Sequence, residues 1–136
     1  ERLLELVRIA SGDGLLVSVK TEVDRMSQDP DTVTVLCDNV PGLGVTLDPS
    51  HFVFGAGKDR NYKKLLKYVY HVQLRDTSES ELLVRIGQGQ IEYGRLVGQL
   101  SRAGYRRALA VDIQAIDGVD HSAEMRKMRL LLESLL

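Results

Sequence analysis

The sequence predicts an α/β fold with parallel strands, and three observations predict it. Short apolar runs alternate along the 136 residues with stretches of helical spacing. Each apolar run is too brief for a helix and lies between turn residues, so it reads as a strand. Each run also closes in polar or charged side chains. Strands that alternate with helices form parallel sheets joined by right-handed crossovers, which bring the carboxyl ends of all strands to one rim.

The elements follow in order. Residues 1–11 carry apolar side chains at 3, 4, 6, 7 and 9, the stripe of an amphipathic helix, and Ser11-Gly12-Asp13-Gly14 closes it. Residues 15–19 form the first strand, ending in Lys20-Thr21-Glu22. Asp29-Pro30-Asp31 is a helix start, with Asp29 as cap and proline in the first turn. The helix over 31–39 is rich in Thr and Val, which are weak helix formers. The turn at 39–44 leads into a second strand over 44–47, which ends in Asp48-Pro49-Ser50-His51, since proline forbids further central pairing. A short helix is expected over 62–68, then a third strand over 69–76 and a polar loop holding Leu82 to Ile86 and Gly87-Gln88-Gly89-Gln90. Helical spacing returns over 91–103, with Gly104 as stop. A fourth strand spans 108–113, and a last helix spans 121–136. All strands are expected to be apolar and buried on both faces.

Composition is that of an ordinary globular chain, 43% hydrophobic and 27% charged, with a formal net charge of −1. That charge gives no electrostatic reason to expect nucleic acid or an anionic membrane. No apolar run approaches the roughly 20 residues of a membrane span, and no signal-peptide pattern is present. The arginine-rich stretches at 102–107 and 126–129 read as solvated helix faces. The single cysteine, Cys37, cannot form an internal disulfide and reads as a small apolar filler on a helix. A cytoplasmic setting is expected. The chain starts at Glu1 rather than Met, as a fragment or trimmed chain does.

The chemistry-bearing residues collect at the strand ends: Lys20 and Glu22, Asp48 and His51, His71 and Asp76, and Asp112. Polar sites of α/β sheets and barrels are built there. Each residue also has a quieter reading. Asp48 can cap a turn, His51 can bond to backbone, His71 can be a satisfied core histidine, and Asp112 can pair with Lys20 or Arg75. His121 reads as a surface or capping residue. The Gly87/Gly89 pair lacks the third glycine and preceding strand of a phosphate cradle and reads as a tight loop.

Four segments carry a resemblance to a known family: Val-Thr-Leu-Asp-Pro-Ser-His (45–51), Tyr-His-Val-Gln-Leu-Arg-Asp (70–76), Ile-Gly-Gln-Gly-Gln-Ile-Glu-Tyr (86–93) and Arg-Arg-Ala-Leu-Ala-Val-Asp-Ile (106–113). In this order they resemble the xylose-isomerase-like sugar phosphate isomerase/epimerase superfamily. The resemblance covers residues 1–136 as one region, four βα units of the carboxyl-terminal half of a TIM (β/α)8 barrel. Such a barrel typically needs about 250 residues.

The resemblance implies a divalent metal (Mn, Mg, Co or Zn) held at the strand ends by a Glu, an Asp, a His and a second Glu. It further implies isomerisation or epimerisation next to a carbonyl through a metal-stabilised enediolate. Asp48 matches the metal-binding Asp, His51 the histidine after it, and His71 the metal-binding His of the next strand. Gln73 stands where the family often has a second histidine. Asp112 stands where the final Glu is expected, one methylene shorter. Lys20 replaces the first Glu, and Glu22 a neighbouring His. On this resemblance Asp48, His71 and Asp112 are the metal candidates, and Asp112, His51 and Lys20 the catalytic ones.

Lys20 departs most from the pattern, because a protonated amine has no lone pair with which to ligate a metal. Its ammonium is expected to take the metal's place in part and neutralise Asp48 and Asp112; the alternative has Lys20 turned outward and Glu22 swung in. Two functions follow: a sugar or sugar-phosphate isomerase/epimerase with a degraded metal site, or a non-catalytic relative that binds a sugar, a polyol or another protein. Half a barrel leaves unpaired strand edges. The expected partner is a second copy of the chain or a missing amino-terminal half-barrel.

Overall fold

A computed structural model describes residues 1–136 as a four-stranded parallel sheet in the order β1-β2-β3-β4, with helices between the strands. Chain order and sheet order coincide, so every strand lies beside its sequence neighbours. This is the arrangement of half a (β/α)8 barrel. Helix α1 is Arg2–Gly12, strand β1 Val17–Lys20, helix α2 Pro30–Asn39 and strand β2 Leu43–Leu47. Strand β3 is Val69–Leu74, helix α3 Tyr93–Arg102, strand β4 Leu109–Val111 and helix α4 His121–Glu133.

Local chemistry sets most of these bounds. Asp29 accepts from the backbone N–H of Thr32 at 3.0 Å, and Pro30 opens α2. Asp120, rather than its neighbour His121, caps α4 by accepting from Ala123 N–H at 3.0 Å. At the end of α3, Gly104 takes a φ of 82° and donates its N–H to Ser101.

Three expectations change. The first strand begins at Val17, because Leu15 donates its N–H back to Ala10 while the chain is still leaving α1; Leu15 and Leu16 are exposed. The helix expected over 62–68 is a 3₁₀ helix, Lys63–Tyr68, entered by Asn61, whose side chain accepts from Lys63 N–H at 2.9 Å. The strands are not apolar on both faces. Only β2 is buried along its whole length, while β1 and β4 are half-buried throughout.

The reason is the alternation of side chains along a strand. One face of the sheet carries Leu43, Val45, Leu47, Val72 and Leu74 into a core shared with Val33 and Cys37 of α2, Leu96 and Leu100 of α3, and Met128 and Leu132 of α4. The opposite, inner face carries Ser18, Lys20, Thr46, His71 and Gln73. The hydroxyls of Ser18 and Thr46 hydrogen-bond across it at 2.6 Å. A bulge between Val45 and Thr46 shifts the β2–β3 register, pairing Val45 with Val69 but Thr46 with His71. The extra residue, Tyr70, lays its ring against Gly44, where a Cβ would stand 2.1 Å from a ring carbon.

Candidate functional site

The site begins where β2 ends. Asp48 is fully buried, and Pro49 turns the chain into a 3₁₀ helix, Pro49–Phe52. One carboxylate oxygen of Asp48 accepts from the Ser50 N–H at 3.2 Å and from the Ser50 hydroxyl. Its backbone N–H donates to the Thr21 hydroxyl at 3.1 Å, which ties the strand end to the segment after β1. The capping reading of Asp48 is therefore part of the geometry. The other oxygen, Oδ2, faces a set of charged groups.

His51 is held at both ring nitrogens. Its Nδ1 accepts from Val23 N–H at 3.0 Å, which places the proton on Nε2, and Nε2 lies 3.4 Å from Asp48 Oδ2. With the ring buried and both nitrogens engaged, His51 orients the Asp48 carboxylate and has no free lone pair for a ligand.

Arg75, the first residue after β3, supplies the centre. Its Nη2 donates to Asp48 Oδ2 at 2.8 Å and to Asp112 Oδ2 at 2.9 Å, joining the ends of β2 and β4. Lys20 Nζ lies 3.5 Å from Asp112 Oδ2 and 3.7 Å from Asp48 Oδ2. Asp112 continues the β3–β4 ladder, its N–H donating to Leu74 at 2.8 Å. Two carboxylates thus face two cations, and with His51 neutral the cluster carries no net charge. Burial pulls the Asp48 pKa upward more than any other single influence. The His51 hydrogen bond, the Arg75 charge and the Ser50 hydrogen bond together outweigh it and hold the carboxyl below its ordinary value.

A second buried carboxylate fixes the neighbouring loop. Asp76 accepts from Gly87 N–H at 2.8 Å and Gly89 N–H at 3.0 Å through one oxygen, and from Thr77 N–H through the other. The Gly87/Gly89 loop is therefore wrapped on Asp76. Tyr93 donates its hydroxyl to the Arg75 carbonyl at 2.9 Å and steadies the backbone that carries the guanidinium. Burial, followed by the Asp76 carboxylate, pushes the Tyr93 phenol well above its ordinary pKa, so it remains a donor.

Lys20, Asp48, His51 and Asp112 come together, as one rim requires. His71 does not join them. It lies opposite Thr46, half-buried on the inner face, and takes no part in the ion pairs. Glu22, Gln88 and Gln90 are exposed, and the Gln90 side chain accepts from Glu79 N–H. The residue that sequence reasoning underrated is Arg75. It was visible only as one possible partner of Asp112, and its reach to Asp48 had no signal along the chain.

These residues do not fit a divalent metal ion. No group of three or more His, Cys, Asp or Glu side chains could hold one, so Asp48, His71 and Asp112 do not form the metal triad that the resemblance implied. The oxygens that a metal would need already accept from a guanidinium, and Lys20 offers only donors. The cavity of about 250 Å³ beside Phe52 and Tyr62 is lined by none of Lys20, Asp48, Arg75 or Asp112.

Comparison with known proteins agrees with the fold. The family model described as xylose isomerase-like TIM barrel matches residues 1–132. A xylose isomerase domain protein from Alicyclobacillus acidocaldarius is 18% identical, with a TM-score of 0.78 over 99% of this chain and 55% of that one. The apo form of 3-keto-D-glucoside 4-epimerase from E. coli is 16% identical, with a TM-score of 0.76 over 97% of this chain and 51% of its own. A xylose isomerase-like TIM barrel protein from Mycobacterium smegmatis, solved in complex with magnesium, is 18% identical, with a TM-score of 0.74 over 99% of this chain and 50% of that one. The chain spans about half the length of these structures, and at such identities the likeness is one of fold. No curated protein matches.

Proposed function

The chain belongs to the xylose isomerase-like TIM-barrel family, and from that premise we propose that it is a barrel half that binds a small polyhydroxylated compound of the sugar class without metal-assisted turnover. The carrying observation is the inner face. Ser18, Thr46, His71 and Gln73 line it with hydroxyl, imidazole and amide groups, and it leads to a rim where Arg75 and Lys20 present N–H donors. Such a surface suits hydroxyl and carbonyl oxygens, which both accept and donate. The groups expected to move protons are occupied: both nitrogens of His51 are engaged, and Asp112 is paired with Lys20 and Arg75.

One observation favours a second reading, isomerisation or epimerisation without a metal. The Asp112 carboxylate is 38% exposed and lies between two cations, of which Lys20 is 35% exposed. Asp112 would take the proton next to a carbonyl while Lys20 polarises the carbonyl oxygen. Against this, the same carboxylate oxygen already accepts from both Arg75 and Lys20.

The unpaired edges of β1 and β4 require a complementary four-stranded half, from a second copy of the chain or from an amino-terminal half-barrel. Proton NMR of D-fructose and D-tagatose in D2O with the full chain tests the functional reading. Saturation transfer to the sugar without exchange of its α-protons is expected. Exchange that persists in EDTA would establish the second reading, exchange abolished by EDTA would restore metal-dependent isomerisation, and no transfer to either sugar would refute sugar binding.

A further inference from the structure

We propose that Arg75 and Lys20 act as resident counter-cations at the rim, holding two carboxylates from different strands together as a divalent ion would and masking a latent cation site. This goes beyond the sugar-binding reading and does not depend on it, since it concerns the charge cluster alone.

Three features of the cluster carry it. First, a single nitrogen, Arg75 Nη2, reaches Asp48 Oδ2 at 2.8 Å and Asp112 Oδ2 at 2.9 Å. One donor bridging two carboxylates resembles an ion between ligands more than the paired fork that Arg forms with a single carboxylate. Second, the charges balance: two carboxylates meet one guanidinium and one ammonium, leaving nothing to attract a dication. Third, Arg75 holds this position although its Nε is buried without any hydrogen-bond partner. Buried donors are nearly always paired. The side chain is therefore placed by the two carboxylates rather than by its own full set of hydrogen bonds.

Lys20 sits at the end of β1 with its ammonium within 4 Å of both carboxylates, so a carboxylate there would face the same oxygens. Replacing Lys20 by Glu and Arg75 by Gln removes both cations and adds an oxygen ligand while retaining polar side chains. Reversal of the local charge in a partly buried setting changes dication affinity by orders of magnitude.

Mn²⁺ titration of the full chain, followed by the electron paramagnetic resonance of free Mn²⁺, tests the proposal. The unaltered chain is expected to leave Mn²⁺ free into the millimolar range. The Lys20→Glu/Arg75→Gln chain should bind at least about 100-fold more tightly, and adding Asp48→Asn should abolish that gain. Lys20→Glu alone, at a half-exposed position, serves as the second variant should the double substitution fail to fold, and should gain about tenfold. Micromolar Mn²⁺ binding by the unaltered chain, lost on Asp48→Asn, would overturn the proposal. So would a folded variant, verified by circular dichroism, that binds no more tightly than the unaltered chain.

Discussion

At the scale of single residues, Asp48 shows how strongly the fold commits a charge. Its carboxylate has no exposed surface and survives there because His51, Ser50 and Arg75 all favour the ionised form. The pKa is lowered in the folded chain, so the unfolded chain takes up the proton first as pH falls. The stabilisation is fully present above the ordinary carboxylate pKa of about 4 and is lost as pH drops through the lower, folded value. Thermal melts between pH 2 and 7 should show the midpoint falling below about pH 4, with a shallower fall for Asp48→Asn; equal slopes would contradict the assignment. The Asp48–His51 pair was legible because both residues lie in one short motif. Arg75 was not, because its partners stand 27 and 37 residues away and only strand pairing brings them within reach.

At the scale of elements, β2 and β3 show what a pattern of apolar residues omits. Continuous apolar runs suggested strands covered on both faces, yet the outer residues fill the core while the inner ones are polar or small. Gly44 belongs to this inner face, and the bulge at Tyr70 depends on it. Gly44→Ala places a Cβ 2.1 Å from the Tyr70 ring and should destabilise the chain by about 1–3 kcal/mol in urea unfolding. Tyr70→Ala should remove most of that penalty in the double variant. Additive effects would place the strain elsewhere. The bulge itself had no sequence signature, since it is a property of two paired strands. By contrast, the Asp29-Pro30 start of α2 was readable, because capping needs only the neighbouring residues.

At the scale of the whole molecule, the four-stranded sheet is open at both ends. Its edge strands are half-buried, and α1 buries only Val7 while Leu4, Leu6 and Ile9 remain about half exposed. Helix α1 contacts β1, the edge strand where another unit would dock. Light scattering on the purified 136-residue chain should give about twice 15.2 kDa if a second copy closes the barrel. A monodisperse species of 15.2 kDa would refute self-pairing and leave the amino-terminal half-barrel as the partner.

The order of strands and helices, the cap of α2, and the arrival of Lys20, Asp48, His51 and Asp112 at one rim were determined by the sequence itself. Periodicity, proline and glycine are local, and parallel connections do the rest. Only the tertiary structure decided that the inner face is polar, that His51 is held at both nitrogens, and that Arg75 rather than Lys20 makes the shortest contacts with both carboxylates. Those outcomes turn on register and on competition among charges for the same two oxygens, and neither is written along the chain.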